Sequence, residues 1–171
     1  MTNPLLTPFT LPPFSAIKPE HVVPAVTEVL EECRDTVDRV VTRGAPYTWE
    51  SLVQPIAEAD DRLSRVFSPV SHLNAVKNNP DLRDAFDKAL PLLSEYSTWV
   101  GQHEGLYKAY RSLKQSEGFA ALSPEQQRAI DNSLRDFELS GIGLERDKQR
   151  RYGKIMARLS ELGSAYSNNV L

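Results

Sequence analysis

The sequence predicts an all-α fold, an antiparallel bundle of about five or six helices preceded by an extended, proline-rich arm. Three observations carry this prediction. Apolar residues recur at alternating spacings of four and three in separate stretches, which is the repeat of one face of a helix. No stretch of useful length alternates apolar and polar residues as a strand would. Pro and Gly fall between the periodic stretches, where short turns favour antiparallel neighbours.

Residues 1–18 form the arm. Pro4, Pro8, Pro12 and Pro13 lie among Leu5, Leu6, Phe9, Leu11, Phe14 and Ile17. Proline fixes φ and removes an N–H donor, so this stretch should be extended rather than helical. Its large apolar side chains are out of place in a solvated linker. They predict an arm lying in a groove on the folded body.

Residues 19–171 read as the helical body. Val26, Leu30, Cys33, Val37 and Val40 draw the first stripe, and Gly44 follows where helices commonly end. Thr48 is a plausible N-cap for a second helix carrying Leu52, Ile56, Ala59, Leu63 and Val66. Ser68-Pro69 should bend or restart it, with Val70, Leu73 and Val76 continuing the face to a turn at Asn78-Asn79. Asn79 then caps, and Pro80 takes the first position of a helix through Leu82, Phe86, Ala89, Leu93, Tyr96 and Val100. Pro91 should kink it, because its nitrogen cannot bond four residues back. Gly101 and Gly105 divide off a shorter helix through Leu106, Tyr110 and Leu113. Ser123-Pro124-Glu125-Gln126 combines an N-cap, a first-turn proline and a capping-box Gln before Ile130, Leu134 and Phe137. Gly141 and Gly143 end that helix.

The last stripe, Tyr152, Ile155, Met156, Leu159, Leu162, Tyr166 and Val170, runs to the final residue without a cap or stop signal. This reads as a chain cut inside or just after a helix. The far end of the stripe is then expected to be buried against residues this chain lacks. Each large apolar side chain left exposed forgoes about 1.5–3 kcal/mol of burial. Self-association through this helix, or fraying of its last turns, is the expected consequence.

Composition narrows the function classes. Twenty Lys and Arg against 23 Asp and Glu give a net charge of -3, leaving no basic excess to bind a phosphate backbone. Nucleic acid is therefore not an expected partner. No apolar run approaches the ~20 residues a membrane helix needs, so no membrane is expected either. Lys or Arg is absent before Lys18 and prolines break the start, unlike a secretory signal. With Cys33 the single cysteine, no internal disulfide or cysteine zinc cluster forms, and the cytoplasm is the expected compartment.

A search for chemistry yields no catalytic, cofactor-binding or metal-binding residue. His103-Glu104-Gly105-Leu106-Tyr107 approaches the zinc motif His-Glu-x-x-His, in which two imidazoles on one helical face grip the metal. Tyr107 stands where the second histidine must, and Gly105 weakens the helix. His21 and His72 have no local Asp or Cys partner. Cys33 sits on an apolar stripe and reads as a core residue rather than a nucleophile. Gly141-Ile142-Gly143-Leu144 follows a helix, not a strand, and reads as a terminator. The mixed charges of Glu145–Arg151 read as a solvated face. Trp49, Trp99, Tyr96, Tyr107 and Tyr110 read as core rather than as a peptide groove.

Several strings are distinctive as wording: NPLL with LPPF, IKPEHVVPAV, GAPYTWESL, FSPVSHLNAVKN, LPLLSEYSTWVGQHEGLYKAY, LRDFELSGIGL and LSELGSAYSNNVL. Across essentially the whole chain they resemble the amino-terminal part of the thimet oligopeptidase family of zinc metallopeptidases. The resemblance implies a parent of roughly four times this length, mostly helical and two-lobed, with a deep channel that admits short peptides. Its zinc ligands and general base belong to a His-Glu-x-x-His helix in the carboxy-terminal catalytic lobe, the partner this segment would pack against. No position here matches that motif, so the resemblance carries no catalytic residue onto this chain and zinc only onto the parent. The segment is then channel wall and lobe packing. The reading from a different class is a free-standing helical module that binds a partner helix or peptide.

Overall fold

The computed structural model describes residues 3–77 and 79–170, and among these it contains six α-helices and no strand. They are α1 (Pro19–Arg43), α2 (Gln54–Val76), α3 (Pro80–Gly101), α4 (Glu104–Lys114), α5 (Pro124–Leu139) and α6 (Arg146–Val170). A π-type turn, Trp49–Val53, leads into α2, and a short 3₁₀ turn, Glu117–Ala121, precedes α5.

The helix ends follow local chemistry. Thr48 Oγ1 accepts from the Ser51 N–H at 3.2 Å while Ser51 Oγ accepts from the Thr48 N–H at 2.9 Å, a reciprocal cap that starts the π-type turn. Asn79 Oδ1 accepts from the Leu82 N–H at 2.9 Å, with Pro80 in the first turn of α3. The Asn78 half of the expected turn lies outside the described residues. Ser123 and Gln126 form the capping box of α5, at 3.3 and 3.0 Å. Gly44, at φ +73°, and Gly141, at φ +82°, take up positive φ after α1 and α5.

One expectation at a proline changes. Helix α2 is continuous through Pro69 and does not restart there. Pro69 is buried with Val66 and Val70 beside it, and packing holds the helix across the missing N–H. Helix α3 likewise runs unbroken through Pro91. Val76 is exposed and does not extend the apolar face.

Two apolar cores share α1. Val22, Ala25, Val26, Val29, Leu30 and Cys33 pack with Val66 and Val70 of α2 and with Leu82, Ala85, Ala89 and Tyr96 of α3. Val37 and Val40 pack instead with Leu52, Val53, Ile56, Leu106, Tyr110, Leu113, Ile130, Leu134 and Phe137. The start of α2 thus meets the end of α1 and its end meets the start, so these two helices are antiparallel. Trp99 and Val100, near the end of α3, touch both cores and join them.

The arm is not helical, but it is not simply extended. Asn3–Leu6 and Pro12–Ala16 form turns, closed by Leu6 N–H to Asn3 O at 3.1 Å and Ala16 N–H to Pro13 O at 2.8 Å. Leu5 is buried in the first core, with Leu6 and Ile17 packed on it, whereas Leu11 stands in solvent. The Asn3 side-chain amide donates to His21 O at 2.8 Å and pins the arm to α1. Turns let a proline-rich stretch place one leucine inside without a long groove.

The second core rests on fully buried Ile130 and Leu52. Ile130→Ala should cost about 2–5 kcal/mol by cavity formation, whereas Thr48→Ala should cost about 1 kcal/mol as a lost cap. Urea denaturation of both variants, read by circular dichroism, checks the ratio.

Candidate docking surface

Helix α6 is built differently from the other α-helices. None of its residues is buried. Its side toward α3 is the i, i+4 row Tyr152, Met156, Ser160, Ser164 and Asn168, with Gly153 beside it. These are mostly small or polar. A Cβ on Gly153 would come within 3.3 Å of Thr98 Cγ2, so glycine sets the close approach of the two helices. At the far end one carboxylate holds two turns. Asp87 of α3 accepts from the Ser164 hydroxyl and, at 3.0 Å, from the Asn168 side-chain amide.

The near end of α6 is fixed through backbone carbonyls. Gln149 donates its side-chain amide to Ile142 O at 3.1 Å, and Gln102 donates to Ser140 O at 3.0 Å. Gly101 lets α3 cross the end of α5, because a Cβ there would stand 2.7 Å from Ser140 Cβ. Gly141-Ile142-Gly143-Leu144 is accordingly a helix-ending turn, with Ile142 packed on the second core.

With its small side on α3, α6 turns its large apolar side outward. Ile155 is 49% exposed, Leu159 55%, Leu162 47%, Tyr166 73% and Val170 71%. Exposure therefore begins at Ile155 and is not confined to the far end of the stripe. The reason is the split: of the apolar set, Tyr152, Met156 and one side of Leu159 line the crevice against α3, and the rest of the row faces away. Five large apolar side chains on one helix make a contiguous exposed patch rather than scattered surface leucines, which makes this face the candidate docking surface.

The histidines serve separate local tasks. His103 Nδ1 accepts from the Leu106 N–H at 3.1 Å and caps α4, its Nε2 lies 4.0 Å from Asp38, and its ring meets Trp99 edge-on. His21 Nδ1 accepts from the Lys18 N–H at 3.1 Å, and His72 lies against Phe14. Among the described residues, no group of three or more His, Cys, Asp or Glu could hold a metal ion. With its Nδ1 committed to a cap and Tyr107 in the fifth position, the His103 segment does not fit zinc, and no chemical step is derived through it. Cys33 donates to Ala59 O at 3.4 Å, and burial pushes its thiol up to about 11. Tyr96 and Tyr110 are core residues, while Trp99 and Tyr107 pack at the core edges. Arg34 lies over the Trp99 ring, 4.6 Å from its centroid. Glu145–Arg151 is a solvated face with Lys148 paired to Glu145 at 3.6 Å and Arg150 paired to Asp147.

One feature was invisible in the sequence. Asp60 of α2, Ser97 of α3, and Ser133 and Asp136 of α5 rim a crevice of about 310 Å³ floored by Ile56, Leu106, Tyr110 and Phe137. Crowding partly desolvates the Asp60 carboxyl and holds it above the usual range, and burial pushes the Tyr110 phenol up to about 12. No spacing rule links residues from four helices.

The model of the neurolysin/thimet oligopeptidase N-terminal domain matches residues 26–149. The chain belongs to this family. Over all 171 residues it is 70% identical to the Oligopeptidase A of Escherichia coli (strain K12), covering 25% of that protein. It is 60% identical to the Oligopeptidase A of Haemophilus influenzae, again over the whole chain and 25% of the relative. With the "probable cytosolic oligopeptidase A" of Arabidopsis thaliana, identity is 34% over 170 residues and 24% of that protein. The chain thus spans about a quarter of the length of the curated relatives it matches. The family match takes in α1 from Val26 through the first residues of α6, and the outward apolar row lies beyond it. No helix among the described residues is long and apolar enough to cross a membrane.

Asp87→Ala should release the far end of α6 without unfolding the cores. Bonds to a charged group are worth about 1.5–3 kcal/mol, so amide exchange at residues 160–170 should quicken by at least about tenfold while α1 amides keep their protection. Equal quickening in both helices would contradict this.

Proposed function

We propose that the chain is the non-catalytic amino-terminal helical segment of a zinc metallo-oligopeptidase that hydrolyses short peptides in the cytoplasm. The single observation that carries this reading is the 60–70% identity to proteins named Oligopeptidase A, sustained over the whole chain. The word cytosolic in a plant relative's name supports the compartment. In this reading zinc and its ligands belong to the catalytic lobe: the sequence holds no His-Glu-x-x-His, and among the described residues no group of three or more His, Cys, Asp or Glu could hold a metal ion.

Within such an enzyme the segment supplies wall and packing. Two closed apolar cores make α1–α5 a rigid body, and the outward row of α6 is the surface left for the catalytic lobe. Nothing in these findings favours the free-standing interaction module.

The test compares the complete protein from the gene with the 171-residue chain. The complete protein should cleave a quenched fluorescent peptide, lose that activity to a chelator, and recover it with zinc. The 171-residue chain should show no turnover and retain no zinc after dialysis. A reading frame that stops at Leu171, or a complete protein inert toward short peptides, would contradict the proposal.

A further inference from the structure

We infer that the crevice between α2, α3, α4 and α5 is a binding site for a small organic cation with an aliphatic stem, the alkylammonium group that a lysine side chain or a free amine carries. The site lies wholly within this chain and stands or falls apart from the peptidase reading.

Four helix faces build it. Ile56 and Asp60 stand one turn apart on α2, Leu106 and Tyr110 on α4, and Ser133 and Phe137 on α5. Residues one turn apart share a face, so the hollow lies where these faces converge and is not a gap between loose side chains. Ile56, Leu106, Tyr110 and Phe137 are buried members of the second core, which fixes the floor. Phe137 meets Tyr110 edge-on, with 5.7 Å between ring centroids. On the α3 side, Gly101 sits so close to α5 that a Cβ there would stand 2.7 Å from Ser140 Cβ, and this contact holds that wall in place.

The charges are one-sided. Asp60 and Asp136 lie on the rim, and no Lys, Arg or His lines the crevice. Among the described residues Asp136 is met only by its neighbour Arg135, at 3.5 Å and in solvent. The Asp60 side chain has no hydrogen bond or ion pair among the described residues, and the arginines that follow it are taken. Arg62 pairs with Glu32, and Arg65 with Asp61 at 2.8 Å. The charge of Asp60 nevertheless reaches inward. It adds to the burial that pushes up the Cys33 thiol and the Tyr96 and Tyr110 phenols. A carboxylate felt by both cores and balanced by neither is complementary to a cation brought from outside.

The lining selects the kind of cation. A hard divalent ion takes about six or more oxygen ligands, and among the described residues no group of three or more His, Cys, Asp or Glu could hold a metal ion. A cation on a hydrocarbon stem satisfies both halves of the site. The stem covers Ile56 and Leu106, and the charged head stands at Asp60 among the rim hydroxyls of Ser97 and Ser133. The aromatic floor residues Tyr110 and Phe137 also favour a cation over a neutral group. At about 310 Å³ the crevice is at the small end of ligand pockets, which begin at ~300 Å³. It takes one side chain or one small amine, not a folded surface.

The test uses the complete protein, labelled at Ile, Leu and Val methyl groups, with n-butylammonium chloride as the probe. The Ile56 and Leu106 methyl resonances should shift and saturate, while those of Val26 and Val70 in the first core stay in place. n-Butanol, the neutral counterpart, should bind at least about tenfold more weakly at matched ionic strength, as should butylammonium to Asp60→Asn. Asp61→Asn, whose carboxylate pairs with Arg65 outside the crevice, should leave binding unchanged. Ser97→Leu, which fills the rim, serves as a second variant in case Asp60→Asn folds poorly, and it should abolish binding. Nα-acetyl-lysine methylamide and its norleucine counterpart separate the two sources of the cation. A lysine derivative that saturates the same methyls at least as tightly as butylammonium supports the site with a basic side chain as occupant. One that fails where butylammonium binds supports it with a free amine. Equal response to butanol and butylammonium, shifts that never saturate, or binding unchanged in Asp60→Asn would each overturn the inference. Peptide hydrolysis is measured on the same samples. An active enzyme that takes no butylammonium overturns the site alone, whereas binding in an inert protein overturns only the functional reading.

Discussion

Helix α1 supplies side chains to both apolar cores, and neither core closes without it. Its first half, Val22 to Cys33, seats α2 and α3, and its second half, Val37 and Val40, seats the π-type turn, α4 and α5. A 25-residue helix reaches about 37 Å, long enough to underlie both clusters. The β-branched and small residues on its buried face let α2 and α3 approach closely. The ends of the bundle then fall where capping residues stop each helix.

Helix α6 stands outside that arrangement. It leans on α3 through glycine, serines and the Asp87 bonds, which fix position more than they bury apolar area. Placing small residues inward costs the helix the burial that its leucines would give. The cost is reasonable only where another surface takes the outward row. The fold thus has two tiers, a body that covers its own apolar surface and a terminal helix that presents its own. That division agrees with the proposal that the chain is one segment of a longer peptidase.

Much of this was legible in the sequence because it is written in short-range chemistry. The four-three spacing located the helices, and Thr48, Asn79 and the Ser123–Gln126 box located their starts. The restart at Pro69 was overstated, since burial of Pro69 with Val66 and Val70 outweighs one lost backbone bond. The arm's turns were missed because Asn3 closes its turn and reaches across to His21, which no local pattern records. The last stripe was read as one face, but helical rotation carries Met156 round toward α3, away from Ile155, Leu162 and Tyr166. Which half meets α3 depends on Gly153 and Asp87, whose roles exist only across two helices. The Asp60–Asp136 crevice draws on four helices and had no sequence signal.

Native-state hydrogen exchange under increasing sub-denaturing urea tests the two-tier account most directly. In the isolated chain, amides of α1, α2 and α3 should exchange through global unfolding, with a steep dependence on urea. Amides of α6 should exchange at lower free energy and with a shallow dependence, as a locally opening unit does. In the complete protein the α6 amides should rise toward the global value. An α6 as strongly protected as α1 in the isolated chain would contradict the account, because the terminal helix would then need nothing beyond this chain to hold it.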